Sequence, residues 1–188
     1  ATTDASAGDL KSNGITNTVL GHSLTLNGTG IMSNSSVGIG KSVSVGTLSL
    51  SGAQSSNYTL VGGTHTVDVN PRTTNASGNR HYDGTTIAGS SAFNTFSNSV
   101  GGDTITLSGI GSIASTGVGS KGVIIGSLQS AHPNYILGNA SLTVSRRPVN
   151  LSGSRIIGGT TDILASELII SNLANSETLT LLIFHLFP

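Results

Sequence analysis

The chain has 188 residues, of which only 9% are charged, with eight basic and eight acidic side chains and a formal net charge of zero. That balance excludes the basic surface on which phosphate-backbone binding rests, so nucleic acid is not an expected partner. The absence of cysteine excludes disulfide staples, zinc-thiolate sites and thiol catalysis together, while 36% hydrophobic residues in short alternating runs argue for a folded chain rather than a disordered one.

Strand patterns succeed one another along the chain. In the first part they stand at 23–26, 43–50, 58–61 and 64–69, and in the second at 104–107, 123–128, 135–137 and 141–144. Each run is rich in Val, Ile, Leu or Thr and is bounded by Gly, Asn or Ser, the pattern of strands joined by tight turns, so antiparallel hairpins are expected. Alternation through Thr64, His65, Thr66, Val67, Asp68 and Val69 turns one row of side chains to solvent and the other to a core. The stretch 163–173 has some helical character through Leu164 and Leu168, but its counterparts elsewhere contain Gly8, Gly14 and Gly89, which argues against a long helix. Without strand–helix alternation the expected fold is all-β, built of small antiparallel, sandwich-like modules in tandem.

The modules are copies. Ser77, Gly78, Asn79, Arg80 followed by Gly84, Thr85, Thr86 returns in the same order as Ser152, Gly153, Ser154, Arg155 followed by Gly159, Thr160, Thr161, every member displaced by the interval from Arg80 to Arg155. His22 to Gly30 corresponds to Asp103 to Gly111 at a spacing of 81, whereas Asn57 and Tyr58 correspond to Asn134 and Tyr135 at 77. The first copy is therefore four residues longer between these blocks, an excess expected in the loop around Ser33 to Ser36 because loops absorb length changes that paired strands cannot. The chain reads as a cut from a longer array: module 1 over 1–72 without its opening strand, a complete module 2 over 73–147, the start of module 3 over 148–181, and a non-repeat hydrophobic tail over 182–188. The tail is far shorter than the roughly 20 residues of a membrane-spanning helix, so no membrane span is expected. Pro71 and Pro148 lie at the junctions, where a fixed backbone angle limits swing between modules.

Chemistry-bearing residues are few. Tyr82 and Asp83 are the candidate ligand contacts, against a structural reading in which Asp83–Gly84 makes a turn and the ring is half-buried. Tyr58 and Tyr135 are expected to anchor the core with their hydroxyls on polar groups. His81 near Asp83, amid many serines, offers the members of a hydrolase triad, but no Gly-x-Ser-x-Gly elbow opens a helix. Gly109, Ile110, Gly111 and Ala114 mimic a dinucleotide fingerprint that has neither a following helix nor an acidic residue about 20 positions on. The five histidines lack chelating spacings, and no Asp-x-Asp run provides for calcium, so no metal and no cofactor is expected.

Taken in order, Tyr82-Asp83-Gly84-Thr85-Thr86, Gly102 to Gly109, Asn134-Tyr135-Ile136-Leu137 and Arg146-Arg147-Pro148 resemble the YDG-type repeat domain of bacterial filamentous-haemagglutinin-like, two-partner-secretion surface adhesins. The third copy departs from that pattern, with Ile156, Ile157 and Gly158 where Tyr and Asp are expected. The resemblance implies an exported, extracellular repeat region at a bacterial cell surface, with neither catalytic activity nor cofactor attached to the module. The expected function is a stalk or spacer whose partners are the neighbouring repeats of the same chain. The alternative is a module that itself binds host or bacterial surface glycans, and the stalk is preferred because no convergent aromatic platform is visible.

Overall fold

A computed structural model describes residues 3–6, 15, 18–61, 65–158 and 161–181. The tail 182–188, together with Gly8, Gly14, Thr64, Gly159 and Thr160, lies outside these residues. Among the described residues the fold is all-β, as expected, and is broken only by 3-10 turns at Ser55–Asn57, Ser90–Ala92 and Ala165–Glu167. No described helix is long and apolar enough to cross a membrane. The chain divides into two compact units, one of Ala1–Thr74, Asn98–Ile105 and Ser130–Ile136, the other of Asn75–Ser97, Thr106–Gln129 and Leu137–Pro188.

In the first unit, strands β1 (Asp4–Ser6), β3 (Thr29–Met32), β4 (Gly38–Ser44) and β6 (His65–Val69) form an antiparallel sheet in the order β1-β3-β4-β6. Strand β2 (Thr25–Asn27) pairs separately with β5 (Ser49–Ser51). Ala5, Leu26, Met32, Val43, Leu48 and Val67 meet in one core. A single residue, Gly28, separates β2 from β3 and lets the chain leave one sheet for the other. Its φ is +89°, and a Cβ there would stand 2.3 Å from the Thr47 carbonyl oxygen, so only glycine fits the corner.

The second repeat builds a six-stranded sheet from β7 (Arg72–His81), β8 (Ile87–Gly89), β9 (Phe93–Phe96), β11 (Ile110–Ile113), β12 (Gly119–Ile124) and β14 (Tyr135–Ser145), in the order β8-β11-β12-β14-β7-β9. β10 (Leu107–Ser108) and β13 (Gln129–Ser130) form a small separate sheet, and Gly109, at φ +87°, makes the same corner as Gly28. The core gathers Ala76, Ala88, Phe93, Ile113, Leu128, Ala140, Leu142 and Val144. Along β14 the buried Ala140, Leu142 and Val144 alternate with exposed Ser141, Thr143 and Ser145, the period of a half-buried strand. A last hairpin, β15 (Asn150–Gly153) with β16 (Leu168–Ser171), repeats the β7–β9 pair one period further along the chain.

The structure differs from the sequence-based expectation at several points. β7, one of the two longest described strands, lies in the polar run RTTNASGNRH, which carries no aliphatic signal beyond Ala76. It becomes a strand because β14 and β9 pair with its two edges, and because Gly78 lets the Ser90–Ala92 turn approach so closely that a Cβ would stand 1.8 Å from the Ala92 carbonyl oxygen. Gly153 meets the Glu167 carbonyl oxygen in the same way, at 2.1 Å, which accounts for the glycine of the repeated Ser-Gly-x-Arg motif. The runs 43–50 and 123–128 are each split by a tight turn at Gly46 and Gly126, 58–61 is not a strand, and 135–137 and 141–144 are parts of the single strand β14.

Nor is the excess of the first copy in the Ser33–Ser36 loop. Gly46 and Gly126 occupy the same turn, each facing the carbonyl of its own strand start, Thr29 or Ile110, so the spacing has already fallen to 80 there. One extra residue sits in the irregularity of β4 between Gly38 and Lys41, and the other three lie in the segment 51–57 with its 3-10 turn. A bulge absorbs one residue without disturbing the rest of a ladder.

One pairing is not antiparallel. The Arg72 N–H donates to the Asn134 carbonyl at 2.9 Å and the Tyr82 N–H to the Ser145 carbonyl at 2.8 Å, so β7 and β14 run in the same direction. The first and last strands of the repeat thus close it side by side.

Candidate functional site

Tyr82 and Asp83 follow β7 directly, at a corner assembled from short-range bonds. The Asp83 carboxylate accepts the Thr85 N–H at 2.9 Å and the Thr85 hydroxyl at 3.0 Å, an Asx turn closed by Gly84. Its second oxygen pairs with the Arg80 guanidinium, which also donates to the Thr85 carbonyl at 2.6 Å. Partial burial pushes the Asp83 carboxyl upward, but the Thr85 N–H, Arg80 and the Thr85 hydroxyl together outweigh it and hold the carboxyl below its ordinary value. Arg80, whose role the sequence does not reveal, is the centre of the corner.

Tyr82 goes elsewhere. Its hydroxyl donates to the Glu177 carboxylate, and its ring packs against the core of the second unit. The bond to Glu177, followed by burial and the Glu177 charge, raises the phenol above its ordinary value. The Tyr82 carbonyl lies 3.5 Å from Arg147, whose Nε and outer nitrogen donate to the Asn172 backbone and side-chain oxygens at 2.6 and 2.8 Å. Tyr82 and Arg147 therefore fasten the β15–β16 segment to the second repeat. Neither Glu177 nor Asn172 is visible from sequence, since each acts across a long separation in the chain.

The two candidates are accordingly not brought into one site. Asp83 alone lines a cleft of about 490 Å³ with Asn79, Arg80, Thr85, Ile87 and Ser91. Arg80 Nε is buried and has no hydrogen-bond partner among the described residues.

The apparent triad does not form. His81 Nδ1 stands 3.0 Å from the Ser145 hydroxyl and 3.1 Å from the Arg146 carbonyl oxygen. A carbonyl only accepts, so Nδ1 carries the hydrogen, and the Ser145 hydroxyl donates to the Arg80 carbonyl at 3.2 Å. An imidazole that donates from that nitrogen cannot take the serine proton there, and Asp83 is engaged with Arg80 and Thr85.

The remaining tyrosines place their hydroxyls on polar groups, as expected, and in doing so hold turns; Tyr135 is buried, while Tyr58 is half-buried. Tyr58 accepts the Val19 N–H at 3.0 Å and lies 2.6 Å from His22 Nδ1, while Tyr135 accepts the Val100 N–H at 2.8 Å and donates to Asp103 at 2.7 Å. Val19 and His22 are the repeat counterparts of Val100 and Asp103. Within the first unit Asn134, beside Tyr135, also links the repeats: its side-chain oxygen accepts the Val37 N–H at 2.9 Å and its backbone carbonyl that of Arg72. Among the described residues, no three His, Asp or Glu side chains gather into a group able to hold a metal ion.

Comparison with curated proteins and with solved structures gives no match. The YDG domain family matches the chain twice, over residues 1–67 and 65–144.

Proposed function

Because the chain belongs to the YDG domain family, with two domains in tandem, we propose that it is a structural repeat segment, a stalk or spacer, of a large exported bacterial surface protein of the adhesin-like kind. The observation that carries this reading is where the repeated residues act. Tyr58 and Tyr135 fasten the same turn in each copy, Gly28 and Gly109 make the same sheet corner, and Gly78 and Gly153 admit the same close turn. The residues that recur are engaged in folding, and bonds such as Asn134 to Val37 and Arg147 to Asn172 join successive repeats. A unit copied for reach has this economy, since each copy must fold alike and grip its neighbour. Absence of cysteine suits an exported bacterial protein. No reaction centre is assigned.

The test is the chain's length in solution against repeat number. Small-angle scattering on this chain and on versions with further copies of 73–147 inserted is expected to give a maximum dimension that grows in proportion to the number of repeats. A dimension that grows as for a compact particle, with the cube root of mass, removes the stalk.

A second reading, direct binding of surface glycans, is favoured by the Arg80–Asp83 cleft alone, where Asn79, Thr85 and Ser91 offer groups suited to sugar hydroxyls. Saturable binding on a glycan array, lost in Asn79→Ala without unfolding, is the result that replaces the stalk by this reading.

A further inference from the structure

Six Asn-x-Ser/Thr triplets stand in the chain, at Asn27, Asn34, Asn57, Asn75, Asn139 and Asn150. Such a triplet accepts a sugar where its asparagine amide is exposed, unengaged and clear of a hydrogen-bonded ladder. The fold sorts the six. The Asn27 amide nitrogen donates to Ser51 Oγ at 2.8 Å, and that of Asn57 to Gln54 Oε1 at 3.0 Å. Asn75, Asn139 and Asn150 lie inside the paired strands β7, β14 and β15, and Asn75 Oδ1 accepts the Asn139 N–H at 2.9 Å.

Asn34 differs in each respect. It is exposed in the loop between β3 and β4, outside any ladder, and its Nδ2 makes no hydrogen bond among the described residues. The side-chain oxygen, by contrast, is doubly engaged. Oδ1 accepts the Ser36 N–H at 3.1 Å and a hydrogen from Lys41 Nζ, and the same ammonium donates to the backbone carbonyls of Asn34, at 2.8 Å, and of Ser36. All three ammonium hydrogens are spent on this loop, which fixes the charge beside the carboxamide. The bond from the Ser36 N–H folds the third residue of the triplet back onto the amide of the first.

An asparagine amide is a poor nucleophile because its nitrogen lone pair is conjugated with the carbonyl. When Nδ2 gives up a proton and attacks, negative charge collects on Oδ1, and donors already aimed at that oxygen, one of them a cation, stabilise it there. We propose that Asn34 is a glycosylation site, its Nδ2 taking one hexose from a nucleoside-diphosphate sugar in the active site of a glycosyltransferase, with Lys41 and the Ser36 N–H activating the amide. The bond from Nδ2 to the sugar C1 forms as the bond from C1 to the diphosphate oxygen breaks. The diphosphate leaves with that electron pair, and one Nδ2 proton passes to a base of the transferase. In the second repeat Lys121 faces Leu142 as Lys41 faces Val67, but Ser115 stands in the place of Asn34, so that repeat has the cation without the acceptor.

The test treats the whole folded chain with UDP-glucose and an asparagine-directed N-glucosyltransferase, and reads intact mass and peptide maps against time. The chain is expected to gain one hexose, mapped to Asn34, and Asn34→Gln to gain none. Lys41→Met is expected to slow the addition at least about tenfold with the β-sheet dichroism unchanged, because the charged donor to Oδ1 is gone. Lys41→Arg, which keeps a charged donor, is expected to stay near the natural rate. Absence of hexose from the folded chain, hexose shared evenly with Asn75, Asn139 and Asn150, or a folded Lys41→Met chain modified as fast as the natural one overturns the proposal. The first two outcomes are read on the natural chain and so do not depend on how the Lys41 variants fold.

Discussion

The Tyr135 hydroxyl donates to the Asp103 carboxylate across 2.7 Å while accepting the Val100 N–H at 2.8 Å, so a single phenol fastens the turn that leads into β10 to the start of β14. In the first repeat Tyr58 holds the equivalent turn through His22. The anchor is kept although its acidic partner is exchanged for an imidazole, because the shared element is the backbone N–H that the phenol oxygen accepts.

That pair makes the alkaline limb of stability testable. The hydrogen bond to Asp103, then burial, raises the Tyr135 phenol above its ordinary value of 10.0. Folding therefore favours the neutral phenol: its contribution is whole below about pH 10 and is lost as pH rises through the folded value. Thermal melts of Asp103→Asn and of the natural chain are expected to differ by several degrees at about pH 8 and to converge only as the pH is taken above the raised folded value of the phenol. Tyr135→Phe should lower the melting temperature at the lower pH in the same way.

Asp83 gives the acid limb. Its folded value is depressed, so its contribution is present above the ordinary carboxylate range and is lost as pH falls through the folded value. The side chain is 41% exposed and screened by solvent, so the expected effect is at most about 1 kcal/mol. Denaturant titrations of Asp83→Asn should fall below the natural chain at neutral pH and meet it once the pH is taken below the folded carboxyl value.

Gly109→Ala tests the sheet corner. With φ at +87° and a Cβ placed 2.0 Å from the Ser127 carbonyl oxygen, the left-handed backbone alone costs about 1–3 kcal/mol, and the clash adds to it. Gly101→Ala, where a Cβ meets nothing within 4 Å, should be neutral or slightly stabilising. The difference in urea midpoint between the two variants checks the assignment.

Leu142→Ala probes the core of the second repeat. The side chain is fully buried, and its truncation is expected to cost about 2–5 kcal/mol, measured as the shift in unfolding free energy. Ile124→Ala, exposed on β12, should cost well under about 1 kcal/mol.

How much of this was legible beforehand depends on the range of the interaction concerned. Alternation along Ala140, Leu142 and Val144 reads directly, as do the turn at Asp83 and the anchoring role of Tyr58 and Tyr135, because period-two burial and Asx turns are local. β7 did not read as a strand, since Thr74 and Ala76 are small and its neighbours polar. Its conformation depends on β14, which lies at the other end of the repeat. Tyr82 and Asp83, adjacent in sequence, looked like one site, yet Glu177 draws the phenol one way and Arg80 the carboxylate another.

The amino-acid sequence by itself determined the all-β character, the repeat and its turn glycines, because strand period, tight-turn chemistry and self-similarity are properties of neighbouring residues. Only the tertiary structure decided that β7 closes the module in parallel on β14, that the extra residues of the first copy sit in a bulge and a 3-10 turn, and that the β15–β16 hairpin stands as a two-stranded sheet. Those outcomes depend on which backbone edges meet across long separations, a matter of space that no local pattern encodes.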